Sequence, residues 1–292
     1  MLTIRREKAN IISAMSLKDQ VTSSRNFNIF LATYAVFTVD DVRKYLSEHG
    51  STNANTRKAL LTYHRSRGRI VPIRRGLYAS VPPNKEPDKH LVDPFLVAAK
   101  MTDDAVLAYH TALEYHGKAY TGYNRLTYVS RLRSHIARFG GYEYVRVPVP
   151  YSLLDSGDTQ QGIETHRRDS VDLRVTNLER TFVDVLDRPE ISGSWEEIWR
   201  SLESIEFFDL VQVVEYLKHL GNATTAAKVG FFLSQHRDAL MVGDETFVDL
   251  KEMIPKQPHY MDRGNRSGCR LVPEWNLLVP PEILKRSWEE IL

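Results

Sequence analysis

Four prolines, separated mainly by charged residues, lie within one short stretch of the chain: Pro82, Pro83, Pro87 and Pro94. Repeated prolines without an apolar period are typical of a linker, because proline fixes its φ angle and has no backbone N–H to donate. The stretch therefore predicts two separately folded parts, and a length of 292 residues agrees with about two domains. The predicted organisation is a leader, a first domain, a linker and a second domain, over residues 1–24, 25–83, 84–94 and 95–292.

The two halves of the chain carry opposite charge, although the formal net charge of the whole is only +2. Residues 1–150 contain 23 basic and 12 acidic side chains, a net of +11. Residues 151–292 contain 16 basic and 25 acidic side chains, a net of −9. A basic part beside an acidic part predicts that the first part binds a polyanion and that the second does not.

The composition argues against several classes of protein. A single cysteine, Cys269, forms no internal disulfide and supplies no zinc cluster. The basic N-terminal stretch lacks the continuous apolar core of a signal peptide, and no window approaches the roughly 20 apolar residues of a membrane span. We therefore expect a cytoplasmic protein that has no membrane partner, no metal and no cofactor.

Three helical patterns occupy most of residues 25–83. Apolar side chains recur at helical spacing from Phe27 to Phe37 and predict a first helix. Thr38 begins a capping-box-like sequence, T-V-D-D, which predicts the start of a second helix that Gly50 ends. A third helix follows as far as Gly68, with its cap among the polar residues Ser51, Thr52 and Asn53.

A β-hairpin is predicted after the third helix, because the β-prone runs IVPI and LYA flank the tip Arg74-Arg75-Gly76. Three helices followed by a hairpin is the arrangement of a winged helix-turn-helix, whose third helix enters the major groove. The predicted fold class is α+β, with an N-terminal winged helix-turn-helix followed by a larger mixed α/β domain.

The charges of this region match an interface with DNA. Residues 25–81 contain 10 basic and 3 acidic side chains, and residues 51–83 contain no acidic side chain. Asparagine, threonine and arginine early on the third helix are able to pair with base edges, while the other cations fit phosphates. The predicted DNA-binding residues are Asn53, Asn55, Thr56, Arg57, Lys58, Arg65, Arg69, Arg74 and Arg75. The alternative is a solvated basic surface on a winged helix that contacts proteins.

The second domain mixes predicted strands and helices and contains no recognisable catalytic motif. Residues 105–116 predict a helix, but its H-x-x-x-E-x-H spacing is not that of a zinc site. Thr176 and Asn177 predict the cap of a later helix, on which Arg180 and Asp184 can form an i,i+4 pair. We expect this pair to be a solvent-exposed one, and the alternative is that it belongs to an interaction face. Asp184 and Asp187 on this helix could be called a carboxylate pair, but no base, metal ligand or phosphate loop accompanies them, so we predict no catalytic residues and no enzymatic activity.

Several separated segments together resemble the AbiEi family, the antitoxin repressors of abortive-infection, type IV toxin–antitoxin operons. The first domain contributes FTVDDVRKYL and RGRIVPIRRGLYAS, which are similar to that family's winged helix. The second domain contributes LAYHTALEYHG, the more specific VTNLERTFVDVLDRPEISGSWEE and the closing WNLLVPPEI. The resemblance covers most of the chain from about Phe27 onward, except roughly residues 240–270.

The resemblance implies an autorepressor that binds inverted repeats in double-stranded operator DNA upstream of its own operon. It also implies that the second domain counteracts a nucleotidyltransferase-like toxin, with or without a direct complex. Two other hypotheses stay open. One is a winged-helix regulator whose second domain senses a ligand or a protein partner, and the other is a nuclease or DNA-modifying enzyme that uses the winged helix for targeting.

Overall fold

The structure, a computed structural model, describes residues 27–286 and residue 288, so the predicted leader lies outside it. The described residues form a mixed fold of helices and several sheets, which agrees with the α+β class at that coarse level. The chain divides into two compact units. The first runs to Met101 and includes the short segments Ala137–Gly140 and Arg167–Asp172, and the second contains the remainder. Across the described residues, no helix is both long and apolar enough to cross a membrane.

Residues 27–101 of the first unit contain helices and a small antiparallel sheet. The strand order is β1-β3-β2, and β1 pairs with β3 from Val36 opposite Ala79 to Thr38 opposite Leu77. In chain order the elements are α1 (residues 27–33), β1 (Val36–Thr38), α2 (Val39–Glu48), α3 (Ala54–Ser66), β2 (Ile70–Arg74), β3 (Leu77–Ser80), a 3₁₀ turn (Pro87–Lys89) and α4 (Pro94–Ala99).

The predicted starts of α2 and α3 are confirmed. Thr38 caps α2 through a capping box, in which its hydroxyl accepts from the Asp41 N–H and the Asp41 carboxylate accepts from the Thr38 N–H. Asn53 is the residue that caps α3. The predicted first helix is wrong at its end, because α1 stops at residue 33 and Phe37 lies in β1, opposite Tyr78. Pairing with β3 outweighs the helical period there, since it buries Phe37 completely.

An aromatic core holds the first unit together. Phe30 lies at its centre, with ring centroids 4.7 Å from Tyr34, 5.0 Å from Phe37 and 5.0 Å from Tyr45. Burial of each such apolar side chain stabilises the fold by roughly 1.5–3 kcal/mol. The buried members of this cluster are Phe27, Phe30, Leu31, Phe37, Val42, Leu46 and Ile70.

A mixed six-stranded sheet has the order β6-β7-β5-β4-β9-β8. The strand β5 pairs in parallel with β7 and antiparallel with β4, and β4 in turn pairs in parallel with β9. The strands that were predicted in the second domain are present as β5, β7, β8 and β9. The bounds of the six strands are β4 (Val106–Leu107), β5 (Arg125–Val129), β6 (Ala137–Phe139), β7 (Tyr142–Val147), β8 (Ile163–Arg168) and β9 (Val171–Thr176).

The helices of the second unit enclose one large apolar core, to which Phe182 and Leu186 contribute fully buried side chains and Leu178 a partly buried one. A small sheet of order β10-β12-β11 completes the unit. The helices are α5 (His110–Tyr115), α6 (Tyr151–Ser156), α7 (Leu178–Asp187), α8 (Trp195–Glu203), α9 (Leu210–Leu220), α10 (Ala223–Gln235), α11 (Asp244–Met253) and α12 (Pro281–Lys285), with 3₁₀ turns at Pro189–Ile191 and Pro273–Trp275. The strands of the small sheet are β10 (His259–Tyr260), β11 (Arg270–Val272) and β12 (Leu277–Val279).

The single helix predicted over residues 105–116 is wrong in its first half. Val106 and Leu107 form strand β4, and the helix begins only at His110. Tyr109 separates the two with a φ of 58°, a left-handed conformation that no helix interior contains. The apolar run before it is buried as an inner strand with neighbours on both sides, and such strands lack the alternating pattern that would reveal them.

Candidate nucleic-acid interface

Helix α3 presents one continuous face to solvent. Asn55, Lys58, Thr62 and Arg65 are exposed and follow one another at helical spacing, and the small Ala59 lies among them. This face contains two amides or hydroxyls and two cations, and no carboxylate. Such a set offers donors and acceptors to base edges together with positive charge for phosphates.

The structure distributes the other predicted residues of α3 around this face. Asn53 is exposed at the cap, where its Oδ1 accepts from the Asn55 N–H at 2.8 Å. Thr56 and Arg57 are only half-exposed and lie to the side of the exposed face. Sequence reasoning missed Thr62, although counting seven residues on from Asn55 would have found it.

An aromatic and cationic pair continues the exposed surface at the end of α3. The Arg67 guanidinium lies over the Tyr63 ring, 5.6 Å from its centroid, and half of the Tyr63 side chain is exposed. The predicted site included neither Tyr63 nor Arg67. A tyrosine and an arginine held together in this way form a flat polar surface next to the helix.

Some cations of this region bind main-chain carbonyls, and others point into solvent. Arg69 donates from Nε to the Val81 carbonyl at 3.1 Å, and Arg74 donates from Nη2 to the Met101 carbonyl. Both guanidinium groups are thus held by the main chain of the first unit. By contrast Arg75, at the hairpin tip, is exposed, and within the described residues its side chain has no hydrogen-bond or ion-pair partner.

Two carboxylates of α2 are already paired with cations of the first unit. Asp41 on α2 lies 3.0 Å from the Lys100 ammonium, and Asp40 lies 3.0 Å from the Arg43 guanidinium. Within the described residues no carboxylate forms an ion pair with Lys58, Arg65 or Arg75. The positive charge of these three side chains is therefore available to an external anion.

The inner side of α3 contains a buried histidine. His64 is 2% exposed, packs against Phe27 with ring centroids 4.9 Å apart, and has no hydrogen bond to either ring nitrogen from any described residue. Burial lowers the pKa of His64, and the nearby positive charge of Arg69 lowers it further. The side chain is therefore neutral and acts as part of the core that supports α3.

The expectation of a solvent-exposed pair in the second unit is wrong. Arg180 and Asp184 are 1% and 2% exposed, with Nε and Oδ2 3.3 Å apart. Tyr216 donates its hydroxyl to Asp184 Oδ1 at 2.6 Å, and Arg180 Nη1 donates to the Gln161 carbonyl at 2.8 Å. Burial raises the pKa of Asp184. The helical spacing correctly placed the two side chains together, but it did not reveal which side of α7 is covered.

The space around Arg180 is limited by a glycine. Gly162 has a φ of 63°, and a Cβ at this position would lie 2.8 Å from Arg180 Cβ and 2.8 Å from Asn177 Oδ1. Since Asn177 Oδ1 also caps α7, the loop, the helix start and the buried arginine form one packed arrangement. These residues therefore stabilise the second unit.

A second buried cluster of polar side chains surrounds His110. Its Nδ1 lies 2.9 Å from Glu114 and its Nε2 lies 2.9 Å from Glu197, and the Tyr123 ring stacks on it with centroids 4.0 Å apart. Thr121 donates to both oxygens of Glu197, and these hydrogen bonds outweigh the burial that opposes them and lower the pKa of Glu197. Among the described residues no cluster of histidine, cysteine and carboxylate side chains is arranged to hold a metal ion.

Comparison with known proteins shows the fold alone. No protein-family model matches the chain, and no curated protein matches it significantly. Its structure is similar to the crystal structure of the RV2827C protein from Mycobacterium tuberculosis, with a TM-score of 0.59 over 92% of this chain and 95% of that one. The two sequences are 16% identical, so the similarity shows a common fold without showing a common activity.

Proposed function

We propose that the first unit is a winged helix-turn-helix that binds operator DNA, with α3 in the major groove and the β2–β3 hairpin as the wing. The protein then acts in the cytoplasm as a transcriptional repressor of its own operon and as an antitoxin of the AbiEi type. The observation that carries the DNA-binding part is the exposed face of α3, which has cations and base-pairing side chains but no carboxylate.

The order of elements supports this proposal. The order α1-β1-α2-α3-β2-β3 places the β2–β3 hairpin directly after the candidate reading helix, and β1 pairs with β3 as the third strand of that sheet. In that arrangement the residues facing DNA would be Asn55, Lys58, Thr62 and Arg65 on the helix and Arg75 on the wing. Arg69 and Arg74 would support the wing from inside, since their guanidinium groups bind main-chain carbonyls.

Binding to phosphates makes affinity depend steeply on salt. With about five phosphate contacts per copy, the logarithm of affinity falls against the logarithm of salt concentration with a slope near −4 to −5. Fluorescence anisotropy with DNA from upstream of the chain's own gene, compared with unrelated DNA of equal length, measures both the slope and the specificity. Equal affinity for the two DNAs across the salt range would contradict operator recognition.

The antitoxin part of the proposal rests on the resemblance of the segment LERTFVDVLDRPE. In this segment Arg180 and Asp184 are buried, so they build the second unit and leave any toxin-directed surface to other residues. The test is co-expression with the product of the neighbouring gene in the operon. A nucleotidyltransferase-like neighbour whose toxicity this chain relieves is the expected result, and an unrelated neighbour with no rescue would overturn it.

A second candidate function, a regulator that senses a small ligand, is favoured by a cavity of about 820 Å³ in the second unit. Trp195, Lys228 and Asp262 line it, and burial lowers the pKa of Lys228 to about 8. Native mass spectrometry of the purified chain tests this function. A retained small molecule that is lost in Lys228→Met would favour ligand sensing over the antitoxin.

A further inference from the structure

A groove of about 400 Å³ in the second unit is lined by large apolar side chains that solvent reaches. It lies between α9, α11 and the loops that precede these helices. Phe207, Val211 and Met241 line the groove and are 66%, 68% and 75% exposed. Neighbouring Phe208 and Val214 are buried, so the groove is continuous with the core. Soluble proteins rarely expose several large apolar side chains in one concave surface unless the surface binds something.

Met241, at one end of the groove, combines an unusual backbone conformation with an exposed side chain. Met241 has a φ of 50°, in the left-handed region that disfavours residues other than glycine and asparagine. Packing of the side chain normally offsets the energetic cost of this backbone conformation, yet the side chain of Met241 is three-quarters exposed. Methionine adapts its shape to a bound partner more readily than other apolar residues, so its position here suits a contact surface.

The charges along the groove are mainly negative. Four carboxylates line it, and the cation that lines it with them is Lys218. On α9, Glu215 follows Val211 by four residues, and on α11, Asp249 follows Glu245 by four, so each helix directs negative charge along its side of the groove. The four carboxylates are Asp209, Glu215, Glu245 and Asp249.

We propose that this groove binds a basic amphipathic helix of a partner protein. The apolar face of that helix packs on Phe207, Val211 and Met241, and its lysine or arginine side chains lie against the carboxylates on either side. The same negative charge opposes nucleic acids and anionic membranes. This binding site does not depend on DNA binding by the first unit, because every residue that lines it belongs to the second.

A designed peptide provides the direct test. A fluorescent 18-residue peptide of leucine and lysine, with all leucines on one helical face, is titrated against the full chain by anisotropy. Its control is a peptide of the same composition in scrambled order, which has the same charge but no apolar face. We expect the amphipathic peptide to bind at least tenfold more tightly than the scrambled one.

Two variants locate the site on the chain. Val211→Lys replaces an exposed apolar side chain of α9 with a cation that repels the lysines of the peptide. It should weaken peptide binding at least tenfold, whereas the control Tyr151→Lys, at an 81% exposed position on α6, should bind as the wild type does. Circular dichroism melting curves confirm that both variants are folded.

Four outcomes would overturn the proposal. Equal affinity for the two peptides shows attraction by charge alone, and unchanged affinity in Val211→Lys places the binding elsewhere. Tenfold tighter peptide binding after deletion of residues 1–24 assigns the groove to the chain's own N-terminal segment. A dimer in light scattering that Val211→Lys dissociates assigns it to a second copy of the chain.

Discussion

Helices α3 and α7 use arginine in opposite ways. On α3, Arg65 is exposed and has no carboxylate partner among the described residues. On α7, Arg180 is 1% exposed and contacts the carboxylate of Asp184, main-chain carbonyls and the Tyr216 ring. The same residue type therefore offers its charge to an external anion in one unit and joins parts of the fold in the other. The surroundings of each arginine, and not its presence in the sequence, decide its role.

The largest expected effect comes from removing the buried carboxylate that pairs with Arg180. Asp184→Ala leaves Arg180 and the Tyr216 hydroxyl buried without their partner, so it should lower the free energy of unfolding by about 3–5 kcal/mol. All four tryptophans lie in the second unit, so urea denaturation followed by tryptophan fluorescence reports on that unit. The matched control is Asp244→Ala, whose exposed pair with Arg237 should contribute less than about 1 kcal/mol. Similar losses in the two variants would contradict a structural role for the buried pair.

Base recognition by α3 gives the next largest effect. Asn55→Ala removes an exposed amide from the face of α3 and should cost roughly 1–3 kcal/mol of binding at particular base pairs of the operator. Affinity for unrelated DNA should stay the same. Anisotropy titrations against a set of operators with single base-pair changes measure this, with Asn84→Ala, an exposed asparagine after the hairpin, as the control. Uniform weakening on every DNA would assign Asn55 to the phosphate backbone instead.

The neutral histidine beneath α3 predicts a pH dependence of the first unit. Because the pKa of folded His64 lies below its ordinary value near 6.5, the unfolded chain takes up the proton more readily. The first unit therefore has its full stability above pH 6.5 and loses up to about 1.4 kcal/mol per pH unit as the pH falls below that value.

Hydrogen exchange of the α3 amides at pH 7.5 and 5, corrected for intrinsic rates, measures this change. His64→Leu replaces the histidine with an apolar side chain that does not titrate. It should therefore remove most of the difference in α3 amide protection between the two pH values. If the variant loses protection at low pH as the wild type does, another group is responsible.

The smallest effect concerns the unpaired cations. Lys58→Ala should weaken binding to operator and unrelated DNA alike by severalfold, and should reduce the steepness of the salt dependence by about one unit. Lys44→Ala, an exposed lysine on α2, is the matched control for loss of a positive charge in the same unit. Sequence-dependent weakening in Lys58→Ala would move this residue from the phosphates to the base edges.

Local signals in the sequence predicted the parts of the fold that depend on local chemistry. Thr38 and Asn53 cap their helices as their side chains require, and Asn177 does the same for α7. Phe37 and Tyr109 show where local signals are insufficient. The first is drawn into a strand by a partner 41 residues further along the chain, and the second separates a buried strand from a helix. Both outcomes depend on neighbours that are distant in sequence.

The candidate interface was predictable to a similar extent. The charge and the acid-free stretch indicated the region, and the helical period could have added Thr62 to the exposed face. The bonds of Arg69 and Arg74 to carbonyls were not predictable, since the composition of the hairpin tip is the same whether an arginine faces solvent or the main chain. The burial of Asp184 was not predictable either. A carboxylate is seldom buried without several partners, and the sequence indicated only Arg180.

The packing of Trp275 has a consequence for synthesis on the ribosome. This side chain is fully buried, and its ring lies where a Cβ on Gly230 would be only 2.2 Å away, so α10 and the C-terminal segment fit each other closely. Residues as late as Ile283 belong to the same core. The second core is therefore incomplete until Ile283 has been translated, whereas the aromatic core around Phe30 is complete by Ser80, the end of the strand that covers Phe37. During translation the first core is therefore able to form before the last residues of the second core have been synthesised.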